Sequence, residues 1–390
     1  MSTSHRSSLD SYNLSTDCPT LLYADICGSL SLCSRLQTNA VNGHGLSASW
    51  RLDLQQNRQG SALLWSVLKE WKLARSIMAT RFCGVLVLLA VFLSGLNASR
   101  PAVNQELSNL FNELWRLDVN RMKPGIDYTV SVQGRASFVS QGSHVVQDHA
   151  TQPLFSNVNE NKLKNTTTIS MFMKLLDNYE RSIGVTERVT TEEQTEINLF
   201  LDAVLQTEVM KRAHKYLVSK GQSSADSRLF KRQLNLIWFH LYHRQRNTGL
   251  DSCGFEHVFV GETRSGTEII GFHNWIQFYL QEKNRHLDYK GYKARERDLP
   301  DQDDHVLNLQ FSWHGVVKPV GSAFIGTSPE FEMALFTIVF LMNTERSTAV
   351  LVNIDQCQME LVVIRHGRSL GTAYPRLLSS NSRHISQHSH

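Results

Sequence analysis

His257 and His273 stand sixteen residues apart, and Lys318 follows in Gly315-Val-Val-Lys-Pro-Val-Gly321. An unperturbed imidazole titrates near pH ~6.5, so two side by side can carry opposite proton transfers at one phosphodiester. One would take the proton of a ribose 2′-hydroxyl, whose oxygen attacks its own phosphate. The other would protonate the departing 5′-oxygen, and a lysine ammonium would offset the charge gathering on the five-coordinate phosphorus. That chemistry is RNA cleavage. On spacing alone the pair is weak, because sixteen histidines make accidental pairs easy. The rival reading is a zinc site in which Glu256, His257, Glu262 and His273 supply oxygen and nitrogen ligands, although no HExxH-type signature is present.

These residues fall in two runs, Gly254-Phe-Glu-His-Val-Phe-Val-Gly-Glu262 and Gly271-Phe-His-Asn-Trp275. Branched and aromatic residues make 255–260 read as a strand, with Glu256 and His257 on opposite faces. A hairpin or bulged turn through Arg264–Gly266 would then return His273 beside His257, in a partner strand or at the start of a helix over Trp275–Gln281. Further strands are expected at Val306–Trp313, Ala349–Ile354 and Met359–Ile364, interrupted by a helix at Pro329–Leu341, where Ser328 can cap and Pro suits the first turn. Upstream the apolar spacing is helical. Leu107, Leu110, Phe111, Leu114 and Leu117 form one stripe, and Phe172, Leu175, Leu176 and Tyr179 another. Phe200, Leu201, Val204 and Leu205 make a third, and Leu234, Ile237, Trp238, Leu241 and Tyr242 a fourth. Each stripe is read as core packing. Helices first and strands later define an α+β fold, with a helical N-terminal half followed by antiparallel β-sheets that form the catalytic region.

A chain of 390 residues, 41% hydrophobic, can bury a large core. Its formal charge of +4 comes wholly from the first hundred residues, with nine Lys/Arg against five Asp/Glu, so net charge argues nothing for nucleic acid. From Met78 the sequence has the layout of a secretory signal peptide, 78–98, with an apolar run Phe82–Leu96 and cleavage near Ala98. Residues 1–77 are expected to lie outside the mature protein; the alternative is an uncleaved anchor through Phe82–Leu96. The remainder reads as one domain, 101–376, and a polar disordered tail, 377–390. Asn165 begins a glycosylation triplet. Cys253 and Cys357 could make one bridge or be two buried thiols.

Several long motifs in order resemble the EndoU family of uridylate-specific endoribonucleases (XendoU-type) over roughly Asn104 to Pro375. They are Gln152-Pro-Leu-Phe155, Leu176-Asp-Asn-Tyr-Glu180, Phe200-Leu-Asp-Ala203, Ile237-Trp-Phe239, the two histidine runs, Tyr289-Lys-Gly-Tyr292, Gly326-Thr-Ser-Pro-Glu-Phe-Glu332 and Gly371-Thr-Ala-Tyr-Pro375. The resemblance implies cleavage of single-stranded RNA at uridylates to 2′,3′-cyclic phosphate, dependent on Mn2+ or Ca2+. By position it makes His257, His273 and Lys318 the catalytic triad, with His273 as base and His257 as acid. It makes Glu256 and Glu262 supporting residues or metal ligands, Thr372 and Tyr374 substrate contacts, and Arg244 part of the phosphate-binding surface. It also recasts Glu282–Arg297, six basic and three acidic residues interleaved with Tyr289 and Tyr292, as an RNA groove. A secreted monomer is expected, with no DNA substrate and no stable membrane association. The alternative is a non-catalytic RNA-binding protein of the same fold. One departure stands out: no cysteine-rich somatomedin-B-like module precedes the domain.

Overall fold

The computed structural model describes Lys69 and residues 102–380, apart from 141–142, 144, 247, 294–299 and 301–302. Residues 78–98, where a leader is expected, and residues 381–390 lie outside the described residues. Among the described residues no helix is long and apolar enough to cross a membrane.

The first half holds helices α1 (Gln105–Leu117), α2 (Glu160–Asn165), α3 (Thr167–Lys174), α4 (Thr191–Gln206), α5 (Glu208–Ser219) and α6 (Ser227–Trp238). A two-stranded ribbon, β1 (Tyr128–Val130) with β2 (Phe155–Val158), interrupts them. The four apolar stripes do pack inward: Phe111, Leu114, Phe172, Phe200, Leu201 and Leu234 are fully enclosed. Local chemistry fixes the helix starts. Thr190 and Glu193 form a reciprocal capping box at α4, and Asp226 caps α6.

The second half contains the hairpin β3 (Glu262–Arg264)–β4 (Glu268–Ile270), helix α7 (Trp275–Lys283), the antiparallel sheet β5 (Leu287–Tyr292)–β6 (Val306–Trp313)–β7 (Val316–Phe324), helix α8 (Pro329–Met342) and the antiparallel sheet β8 (Ser347–Ile354)–β9 (Cys357–His366)–β10 (Ser369–Ser380). Ser328 caps α8 with Pro329 in its first turn, as expected.

Three expectations are corrected, and the open choice between a Cys253–Cys357 bridge and two buried thiols falls to the thiols. Residues 255–260 are not a strand: Glu256–Val260 is a wide helical turn closed by the Gly261 N–H donating to the Glu256 carbonyl five residues back. The reason is packing at helical spacing. Phe255 and Phe259 lie 5.2 Å apart, and both close on Phe172, at 5.5 and 5.4 Å. Residues 377–380 are strand, not tail, because Leu377, Ser379 and Ser380 continue the ladder opposite Met359, Gln358 and Cys357. Cys253 and Cys357 are both buried and not bonded to each other. Tyr289 and Tyr292 face the core rather than a groove, and the Tyr289 hydroxyl donates to the Val132 carbonyl at 2.8 Å.

Candidate active site

The wide turn places Glu256 and His257 as successive residues of one helical element, and the chain must then double back over them. Two glycines permit this. Gly261 has φ +92, and a Cβ there would sit 2.3 Å from the Phe272 ring; Gly271 has φ +64, and its Cβ would sit 1.8 Å from the His257 carbonyl oxygen. With no side chains at these points, Phe272 N–H donates to the His257 carbonyl at 2.9 Å and His273 N–H to the Val258 carbonyl at 2.7 Å. The β3–β4 hairpin between them turns through Ser265 and Gly266, where the sequence places its turn. His273 falls just before α7, whose cap is Asn274: its side-chain oxygen accepts from the backbone N–H groups of Ile276 and Gln277.

Each imidazole is held by one nitrogen. His257 Nδ1 lies 2.5 Å from a Glu262 carboxylate oxygen, and His273 Nδ1 lies 2.8 Å from the Ser322 carbonyl on β7. A carbonyl only accepts, so His273 Nδ1 carries the proton and Nε2 of the neutral ring is an open base. Burial, then the Lys318 charge, hold His273 well below the usual histidine range. Burial likewise lowers His257, with Arg244 and Lys318 adding to it, and burial pushes Glu262 up to about 7 against the pull of Arg244. Both shifts favour a His257–Glu262 pair without net charge, and in that state Nε2 of His257 keeps a proton it can give away.

Lys318 arrives from β7, opposite Phe311 on β6, and donates to the Ile269 carbonyl on β4 at 3.3 Å. Its burial lowers it to about 8. Tyr374 on β10 stacks on His273, with ring centroids 5.0 Å apart and planes 23° from parallel, and half-buried Thr372 precedes it by one ladder step on the same face. His257, His273, Lys318, Thr372 and Tyr374 thus come from four separate segments of the chain.

Arg244 is redirected. Its side chain is not laid along a phosphate surface: Nε lies 3.1 Å from Glu262 and donates to the Ser252 hydroxyl at 2.8 Å, and one terminal nitrogen donates to the Gly371 carbonyl at 2.8 Å and the Tyr242 hydroxyl at 2.5 Å. Asp251 accepts its backbone N–H at 2.6 Å. The guanidinium therefore ties the carboxylate behind His257 to the bulge in β10 that precedes Thr372 and Tyr374. Ser322, Asp251 and Ser252 escape sequence reading. Ser322 acts through a backbone carbonyl, which any residue would supply, so nothing in its type could announce it.

Glu256 and Glu262 each keep one buried oxygen without a hydrogen-bond partner, but their other oxygens are already engaged. One oxygen of Glu262 is shared by His257 and the Arg244 cation, and one oxygen of Glu256 accepts from the Cys253 N–H at 3.3 Å, with both residues fully buried. Burial raises Glu256 well above the carboxylate range, with the Glu262 charge next in importance, which favours a neutral acid there. Glu256, His257, Glu262 and His273 do not converge as zinc ligands; among the described residues no group of three or more His, Cys, Asp or Glu is arranged to hold a metal.

Fold and site together are those of an endoribonuclease. The model of the family described as endoribonuclease XendoU matches residues 106–375. A uridylate-specific endoribonuclease C of Danio rerio is 65% identical over 304 residues, 78% of this chain and 98% of that one. A poly(U)-specific endoribonuclease-B of Xenopus laevis is 56% identical over 288 residues, 74% of this chain and 99% of its own. The solved structure of XendoU, described as a splicing-independent snoRNA-processing endoribonuclease, superposes with a TM-score of 0.65 at 55% identity, over 72% of this chain and all of that one. The chain belongs to the XendoU family of endoribonucleases.

Proposed function

We propose that the enzyme cuts single-stranded RNA after uridylates by internal transesterification, leaving a 2′,3′-cyclic phosphate. One observation carries the reading: both imidazoles are anchored through Nδ1, by unlike partners, beside one buried ammonium. His273, anchored on a neutral carbonyl, accepts the 2′-hydroxyl proton at Nε2. The 2′-oxygen attacks phosphorus, Lys318 faces the developing charge, and His257, backed by Glu262, protonates the 5′-oxygen as the P–O bond breaks. Tyr374 offers its ring to the base or ribose, with Thr372 as the polar contact that selects uracil. The printed names of the Danio and Xenopus relatives support uridine as the substrate base.

Dependence on Mn2+ or Ca2+ belongs to the same proposal, without ligands assigned at Glu256 or Glu262; cleavage unaffected by chelator would remove it. Secretion through 78–98 is likewise proposed from the leader pattern, and a mature N-terminus near Ser99 in medium from expressing cells tests it. The central test is cleavage of a uridine-containing oligonucleotide by residues 99–390. Cyclic phosphate ends are expected, lost in His273→Ala; 3′-hydroxyl ends would overturn the mechanism, and binding without turnover would favour the non-catalytic alternative.

A further inference from the structure

Of the basic residues at and after the end of α7, three described lysines are already partnered. Lys283 is held by Glu160, Lys290 by Asp148 and Asp288, and Lys293 by the Ser137 carbonyl. The exposed residue His286 instead meets a second exposed histidine from another element. His286 and His314 stack with centroids 4.8 Å apart and planes 27° from parallel. Trp313 lies 5.3 Å from His314, and the Arg181 guanidinium, exposed and from the loop after α3, lies 5.5 Å over the Trp313 ring. Partial burial, then the Arg181 guanidinium beside it, hold His314 below the usual histidine range.

His314 also holds an uncommon backbone. It has φ +47 and Gly315 φ +80 in the two-residue turn joining β6 to β7, a turn that Asn-Gly fills at less cost. Its N–H donates to the His286 carbonyl at 2.8 Å, which fixes the two rings in register.

The cluster borders the catalytic centre by two routes. Along β7, His314 is four residues from Lys318, about 13 Å at ~3.3 Å per residue. Across the β3–β4 hairpin, Thr263 N–H donates to the Arg181 carbonyl at 2.7 Å, and Ile269, the ladder partner of Thr263, accepts from Lys318. A strand whose scissile phosphate faces Lys318 has this patch within reach of its neighbouring nucleotides.

We propose that Arg181, His286 and His314 form a second RNA subsite, flanking the cleavage site, in which the guanidinium takes a backbone phosphate and the exposed imidazole stack receives an unpaired base. The inference rests on the RNA-cleaving reading above. It predicts that substrate length matters: a uridine-containing oligonucleotide engages the patch and a dinucleotide does not.

The test compares Arg181→Ala and His314→Gly with the parent, the glycine being suited to a positive φ. KM for a long single-stranded substrate should rise about tenfold in either variant, with kcat unchanged and dinucleotide cleavage unaffected. With a 2′-deoxyuridine oligonucleotide that cannot be cut, Arg181→Ala should flatten the dependence of log K on log salt by about 0.7, while His314→Gly weakens binding without altering that slope. Unchanged KM and salt slope would overturn the subsite. Equal losses on the dinucleotide would overturn it too, since the residues would then be acting on the catalytic centre. A parent that cuts neither substrate refutes the cleavage reading, and the uncut oligonucleotide still decides whether the patch binds RNA.

Discussion

Replacing Glu262 by Gln removes the group that distinguishes the two histidines. In the parent, His273 must be unprotonated and its proton is held below the usual range, so activity should rise through acid pH. The His257–Glu262 pair must keep a proton to donate, and burial sets Glu262 at about 7, so activity should fall again above that pH. An amide oxygen at position 262 would accept from Nδ1 of a neutral His257 and leave Nε2 bare, the wrong tautomer for an acid. Burial and the Arg244 and Lys318 charges would then keep that ring from protonating. Loss of a general acid costs roughly 10²–10⁴ in rate, and the descending limb should move to lower pH. The assay compares a natural uridine dinucleotide with a uridine 3′-phosphate ester of 4-nitrophenol, whose leaving group departs without a proton. Glu262→Gln should lose its full factor on the first and less than about tenfold on the second. His273→Ala, which removes the base, should lose equally on both. Equal losses for Glu262→Gln would refute the acid role of His257 and its dependence on Glu262.

Lys318→Met should lower kcat by about 10²–10³, as for other preorganised charge stabilisers, yet leave the thermal midpoint equal or higher, because it removes a buried ammonium. Calorimetry showing a strongly lowered midpoint would instead make Lys318 a structural residue. Gly271→Ala should destabilise by more than ~2 kcal/mol in urea titration and abolish cleavage, since its Cβ would lie 1.8 Å from the His257 carbonyl; a stable, active variant would contradict the crossing. Asp118, buried near Ser328 at the start of α8, has its carboxyl raised from 3.8 to about 7, chiefly by burial and then by Glu330. A carboxyl raised on folding contributes stability that is present below its unfolded value and lost as pH rises through about 7. Asp118→Asn should therefore gain on the parent between pH 4 and 8, by at most about 4 kcal/mol at ~1.36 kcal/mol per pH unit. A midpoint difference constant with pH would refute it.

The residue types of the proposed site were legible in the sequence. His257, His273 and Lys318 are the types that phosphodiester cleavage needs, and the ordered motifs around them singled the pair out from sixteen histidines. Helical stripes were legible because 3.6-residue periodicity reports one buried face, and so were Ser328 as a cap and the turn after Arg264. The segment 255–260 misled because it is buried on every side. A short apolar run then carries no period, and the contacts of Phe255 and Phe259 with Phe172 decide for a helical turn.

Charge and partnership were the province of the tertiary structure. The family resemblance places Arg244 on a phosphate-binding surface, but folding packs it against Glu262, Ser252 and the Gly371 carbonyl. Tyr289 and Lys290 look like a groove, but one turns to the core and the other is taken by Asp148 and Asp288. The difference on which the proposed acid and base roles rest also arises only on folding. The sequence supplies two identical imidazoles; distant elements give one a carboxylate and the other a carbonyl, and those unlike partners set where each proton sits.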